Sequence, residues 1–200
     1  MALFTAYARH RLRNQRSGAA RVWCIIAALT FCLPLNSAEN GTSREFQVKA
    51  EFLYNFAQFV EWPADAFESP KSPLIIGILG LDPFGETLDE MVRDESVNGR
   101  PMVVRRFRWA GEVERCHILF VSGSESPHAE QILAALKDRS VLTVCDWDGL
   151  DRRGAIVRFV MERNRVRLRI NLDTAKAAGL NISSKLLRSA ETVVQQTPAP

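Results

Sequence analysis

The chain is poor in the residues on which reaction centres and metal sites are usually built. Its 200 residues hold three histidines (His10, His117, His128) and four cysteines (Cys24, Cys32, Cys116, Cys145). No two of these stand at the spacing of a zinc pair, which argues against metal catalysis. There is no Gly-x-Ser-x-Gly elbow, no P-loop and no dinucleotide fingerprint. No internal repeat is visible. The longest apolar stretch, Val22 to Leu35, spans about 14 residues, short of the ~20 that cross a bilayer.

Acidic residues and lysine are missing altogether from the first 38 positions, which carry five arginines (Arg9, Arg11, Arg13, Arg16, Arg21). A basic start, a short apolar middle and a small-residue exit at Asn36-Ser37-Ala38 give the layout of a secretory signal, so residues 1–38 are expected to be a signal peptide cleaved on export. Lipidation at Cys32 is disfavoured by the bulky Phe31 before it. Without the leader, 21 basic residues face 23 acidic ones, a net charge of −2. The basic pI therefore belongs to the leader and gives no argument for nucleic-acid binding. Residues 39–195 suffice for one buried core and are too few for two ordinary domains. Residues 196–200 read as a disordered tail.

Thr42-Ser43-Arg44-Glu45 has the form of a capping box opening a helix to about Val60. Phe46, Ala50, Leu53, Ala57 and Val60 form one apolar stripe, with Phe52, Phe56 and Phe59 beside it, so this helix is expected to be covered on two sides. Trp62-Pro63 ends it. Leu74–Leu79 is a short apolar run that reads as a buried strand. Asp82-Pro83 is expected to cap a helix to about Arg93, and Asn98-Gly99 a turn before a strand at Pro101–Phe107. Cys116–Val121 is a further strand, Ser126-Pro127 opens a helix with Ile132, Leu133 and Leu136, and Val141–Cys145 is a fourth strand. This alternation implies parallel pairing.

The C-terminal third changes character. Ala155–Glu162 and Arg165–Asn171 read as a hairpin turning at Arg163-Asn164. Val157, Phe159, Met161, Val166, Leu168 and Ile170 share one face, and Arg158, Arg167 and Arg169 the other. A short helix ends at Gly179, and a last one, capped by Ser183, carries Leu186, Leu187, Ala190 and Val194. The expected fold is α/β: a mixed, mainly parallel sheet with helices on both faces and a C-terminal antiparallel hairpin.

Candidate chemistry is sparse. Gly77 to Gly85 follows a strand, where a phosphate loop would sit, but Asp82 puts a carboxylate where an anion would bind. Ser122, Ser124, Ser126, His128 and Asp146 fall near strand ends, where open sheets place their sites, yet Ser126 and His128 read as the first turn of a helix. Ser183-Ser184-Lys185 lacks the three-residue offset of an acyl-transfer pair. Asp146, Asp148 and Asp151 crowd into six residues but lack the rest of a calcium loop, and read as a solvated turn. Cys116 begins one strand and Cys145 ends another, roughly 13–17 Å apart at ~3.3 Å per residue. A bridge needs Cα atoms within ~7 Å, so no Cys116–Cys145 disulfide is expected. The face with Arg158, Arg167 and Arg169 is either solvated or a docking surface for an acidic partner or an anionic envelope component.

Several long motifs resemble those of the YfiR-like periplasmic proteins: Lys49-Ala-Glu-Phe-Leu-Tyr-Asn-Phe-Ala-Gln-Phe-Val-Glu-Trp-Pro63, Gly80-Leu-Asp-Pro-Phe-Gly85 with Asn98-Gly-Arg-Pro101, Val141-Leu-Thr-Val144, the run Phe159 to Asn171, and Ala178-Gly-Leu-Asn-Ile-Ser-Ser-Lys-Leu-Leu187. The resemblance covers nearly all of residues 44–194. It implies an exported, often homodimeric α/β protein without known enzymatic activity or cofactor. It further implies a repressor that binds the periplasmic sensor part of an inner-membrane diguanylate cyclase and holds cyclic-di-GMP low, with an outer-membrane lipoprotein as a second partner that draws the repressor away. A described member uses more cysteines in disulfides than this chain retains. On this reading Phe52, Phe59, Trp62 and Pro63, with Arg158, Arg167 and Arg169, are the candidate partner or dimer contacts. The alternative is a periplasmic small-molecule sensor with its ligand near Asp82, Ser124 and Asp146. A hydrolase using Ser124 is a third reading.

Overall fold

The computed structural model describes residues 37–190 and 192–194. The expected signal segment up to Asn36, with Cys24 and Cys32, and the expected tail at 196–200 lie outside the described residues. No helix among the described residues is long and apolar enough to cross a membrane.

The first helix, α1 (Ser37–Phe59), buries Ala50, Leu53, Phe56 and Ala57 completely or nearly so. The helix starts before Thr42, so the expected capping box is overridden: residues 42–45 continue a helix already running. Phe56, placed by periodicity in a second stripe, belongs to the core. The chain leaves α1 through β1 (Val60–Glu61), passes the 3-10 turn Ala64–Ala66, and enters β2 (Leu74–Leu79).

Every residue of β2 is buried, as a central strand covered on both faces requires. Next come α2 (Glu86–Val92), β3 (Ser96–Val97) and β4 (Arg100–Phe107). The helix α2 begins four residues after Asp82, not at it. The Asp82 carboxylate instead accepts the Phe84 and Gly85 N–H groups at 2.7 and 3.2 Å, closing a turn, and Gly85, at φ +53°, supplies the left-handed step into the helix. β3, unforeseen, pairs antiparallel with β4 across Asn98-Gly99, whose φ values of 54° and 75° mark a primed hairpin turn.

The chain then crosses back over β2 to β5 (Ile118–Val121) and runs through the 3-10 segment Gly123–His128 into α3 (Ala129–Ala135), β6 (Leu142–Cys145) and α4 (Leu150–Arg153). β7 (Val157–Glu162) and β8 (Arg165–Asn171) form the expected hairpin. Its register pairs Val157 with Ile170, Phe159 with Leu168 and Met161 with Val166, and Arg163 and Asn164 take φ values of 48° and 61°. After α5 (Leu172–Ala177) and β9 (Asn181–Ile182), α6 (Ser184–Ser189) is capped by Ser183 Oγ, which accepts the Lys185 N–H. The helix does not reach Val194: Thr192–Val194 is β10, parallel to β8.

The main sheet has the order β10-β8-β7-β6-β5-β2-β4-β3, and β1 pairs with β9 beside it. β4, β2, β5, β6 and β7 run parallel; β3 and β8 run against them. The alternation of side chains along each strand divides the interior into two cores. Leu74, Ile76, Ile78, Phe120, Val144, Phe159 and Leu168 meet α1, α2, α5 and α6 on one face. Ile75, Leu79, Leu119, Val121 and Cys145 meet α3 and α4 on the other. The fold is the mixed α/β sheet with helices on both faces that the pattern implied.

Candidate docking surface

At the carboxyl ends of β2 and β5 the following loops leave to opposite faces, the crevice where open α/β sheets usually bind ligands. Here it is sealed from within. Ser124 Oγ accepts the Leu81 N–H at 3.0 Å, and a Cβ at Gly80 would come within 2.4 Å of that same oxygen. Ser122 Oγ caps the 3-10 segment. His128 is exposed and pairs with Glu125 at 3.3 Å. Asp146 is held by Lys49 at 2.7 Å, and Asp82 binds Arg106 Nε at 2.8 Å. Ser122, Ser124, Asp82 and Asp146 thus each have an internal structural partner.

Lys49 is the unusual member, 3 % exposed. Its ammonium sits between Glu45 and Asp146 at 2.6 and 2.7 Å and 4.6 Å from the Phe46 ring centroid. A buried cation needs such compensation, and the arrangement ties α1 to the loop after β6. Glu45, read in the sequence as a capping acid, stands one helical turn before Lys49 and pairs with it instead.

Trp62 and Pro63 form a corner. The Trp62 indole N–H donates to the His117 carbonyl at 3.1 Å, and the Pro63 carbonyl accepts the Ala66 N–H at 3.1 Å. The His117 ring, 4 % exposed, accepts the Ile75 N–H at Nδ1 (3.0 Å). Its Nε2, which carries the proton in that tautomer, donates to the Ala66 carbonyl (3.2 Å). Phe67 stacks on it at 4.3 Å, with the Arg100 guanidinium 3.7 Å from the centre of the Phe67 ring. Burial pulls the imidazole down to about 4, which keeps it neutral. Weighed in the sequence as a metal ligand, His117 has nothing near it in the chain that signals these contacts.

Phe52 and Phe59 are half-buried on α1. Phe52 lies 6.2 Å from Phe56 and 5.9 Å from Phe159 between ring centres. Met161, two positions along β7 on the same face, is 45 % exposed, and Val166 opposite it is half-buried. Phe52, Met161 and Val166 therefore edge the core with a partly open apolar strip. Leu81 and Trp109 are also exposed large apolar residues. They stand two positions beyond the register pair Leu79 and Phe107, in loops that sequence reading had assigned no contact role.

The three arginines separate. Arg158 is largely buried, bonded to Asp151 at 3.0 Å and to Asp148, while its Nε has no partner among the described residues. Burial opposes the Asp151 charge, yet the Arg158 bond leaves that carboxyl below its ordinary value. The acidic turn expected to be solvated thus holds Arg158 in place. Arg167 and Arg169 stay exposed. Cys116 and Cys145 are free and buried, each thiol pushed up to about 12 by burial. Cys116 precedes β5, whereas Cys145 lies opposite the last residue of that strand.

The YfiR/HmsC-like family model matches residues 46–191. The match takes in the whole sheet up to α6, and the chain belongs to this family. None of the curated proteins matches the chain.

Proposed function

We propose that the protein is an exported, non-enzymatic regulator that works in the periplasm. It binds the periplasmic sensor part of an inner-membrane diguanylate cyclase and represses cyclic-di-GMP synthesis. The observation that carries this reading is the YfiR/HmsC-like match across residues 46–191. Two features of the site agree with it. The Ser122, Ser124 and Asp146 side chains are committed to a cap, a turn and an ion pair. The apolar strip of Phe52, Met161 and Val166 offers a protein partner a surface contiguous with the core. Such strips with a polar surround mark interaction sites, and a homodimer would use the same kind of surface. An outer-membrane lipoprotein competing for the regulator is the further partner in this scheme.

Deletion of the gene in its own host tests the reading. Cellular cyclic-di-GMP should rise and return to its original level on complementation with the exported chain. An unchanged level, with the protein shown to be made and folded, overturns the cyclase assignment. A small-molecule sensor is the second reading. It is favoured by a cleft of about 610 Å³ beside Gly154, lined by Arg152, Arg153, Arg169, Asn171 and Thr174, and not by Asp82, Ser124 and Asp146, whose polar groups are already engaged.

A further inference from the structure

Charge is distributed very unevenly. Residues 150–171 hold seven arginines against two acids, a net +5, while the rest of residues 39–200 carries 14 basic and 21 acidic residues, a net −7. The sheet concentrates this excess on one side of the β7–β8 hairpin. Arg165, Arg167 and Arg169 alternate along β8 and are all exposed, stepping about 6.7 Å apart at the strand's rise. Helices α3 and α4 cover this side of the sheet over β2, β5 and β6; Arg169 lines the cleft beside α4 with Arg152 and Arg153, and Arg165 and Arg167 line a second hollow with Glu162 and Arg163.

The local countercharge is thin. Glu162 faces Arg165 in the register and approaches Arg169 only at 3.6 Å, while Arg167 lies opposite the apolar Val160. Arg163 adds a further cation at the turn. On the reverse side of the same tip stands Met161, 45 % exposed. The hairpin therefore ends in a cationic row backed by an apolar side chain.

We propose that this face of the hairpin docks on an anionic phospholipid bilayer, with Arg165, Arg167 and Arg169 on the lipid phosphates and Met161, on the reverse side, left free for a protein partner. A row of long cationic side chains suits an extended array of like anions. A regulator held this way would meet a membrane-embedded partner by searching in two dimensions. The proposal stands on charge and shape alone, and its test uses membranes that contain no protein.

The test is cosedimentation of the exported chain, residues 39–200, with vesicles of phosphatidylcholine alone or with 30 mol % phosphatidylglycerol. The triple variant Arg165→Gln/Arg167→Gln/Arg169→Gln is measured in parallel, its folding checked by near-UV circular dichroism. The expected result is binding to the anionic vesicles only, about a hundredfold weaker in the triple variant, largely retained in the triple Lys variant and abolished by 0.5 M salt. If the triple Gln variant does not fold, Arg167→Gln alone should lose about fivefold. Equal partitioning of folded wild type and variant would overturn the proposal. So would a wild type that ignores anionic vesicles but is stabilised by inorganic phosphate, which would make a soluble anion the occupant.

Discussion

Acid should unfold this protein through His117 before it does so through Asp89 or Asp151. The buried ring is neutral, with Nδ1 accepting the Ile75 N–H and Nε2 bonded to the Ala66 carbonyl. Protonation would place a second N–H against the Ile75 donor in a site with almost no water. The folded value is about 4 against 6.5 for a free imidazole. Between these values the unfolded chain binds the proton and the folded one does not, so stability falls as pH drops from 6.5 towards 4. At 1.36 kcal/mol per unit the loss reaches roughly 3 kcal/mol at most. Asp89, lowered first by its bond from Arg106, and Asp151 titrate below the ordinary carboxylate value of 3.8, so their losses come at still lower pH. Urea melts at pH 7, 5.5 and 4.5 should show the fall in wild type. In His117→Asn, which keeps an acceptor for Ile75 but cannot titrate, stability should be lower at pH 7 and nearly flat over this range. An equal slope in the variant would refute the assignment.

Three further outcomes follow from the packing. Lys49→Met should lower stability by about 2–3 kcal/mol in urea melts, because it strips the half-buried Asp146 and Glu45 of their shared cation. Gly77→Ala should cost about 1–3 kcal/mol by the same measurement, since its Cβ would come within 2.6 Å of Cys116 Sγ and 2.7 Å of a Phe107 ring carbon. Cys116 and Cys145 should resist alkylation at pH 8 in the folded protein and react once it is unfolded, as read by peptide mass mapping, because both are buried with thiol values near 12.

The parts of the fold governed by short-range chemistry were legible in the sequence. Leu74–Leu79 is a strand at its expected bounds because a central parallel strand must be apolar on both faces. The β7–β8 register follows from alternation plus two residues able to adopt positive φ. Elements set by long-range pairing were not. Thr192–Val194 reads as the end of a helix until β8 offers it a free edge, and Val60–Glu61 is a strand only because Asn181–Ile182 lies beside it. The site shows the same division. Arg158 alternates with its neighbours as a surface residue would, but the Asp148–Asp151 turn folds over it. Leu81 and Trp109 look like ordinary loop residues, yet both stand exposed just past the paired ends of β2 and β4.

The most direct test of the proposed role is capture of a membrane partner. The purified chain, immobilised, is exposed to detergent-solubilised membranes of its own host, and Met161→Glu serves as the control. Wild type should retain a protein that joins a periplasmic sensor region to a cytoplasmic diguanylate cyclase domain, and the folded Met161→Glu chain should retain it at least tenfold less. Folded wild type that retains no such protein would contradict the account.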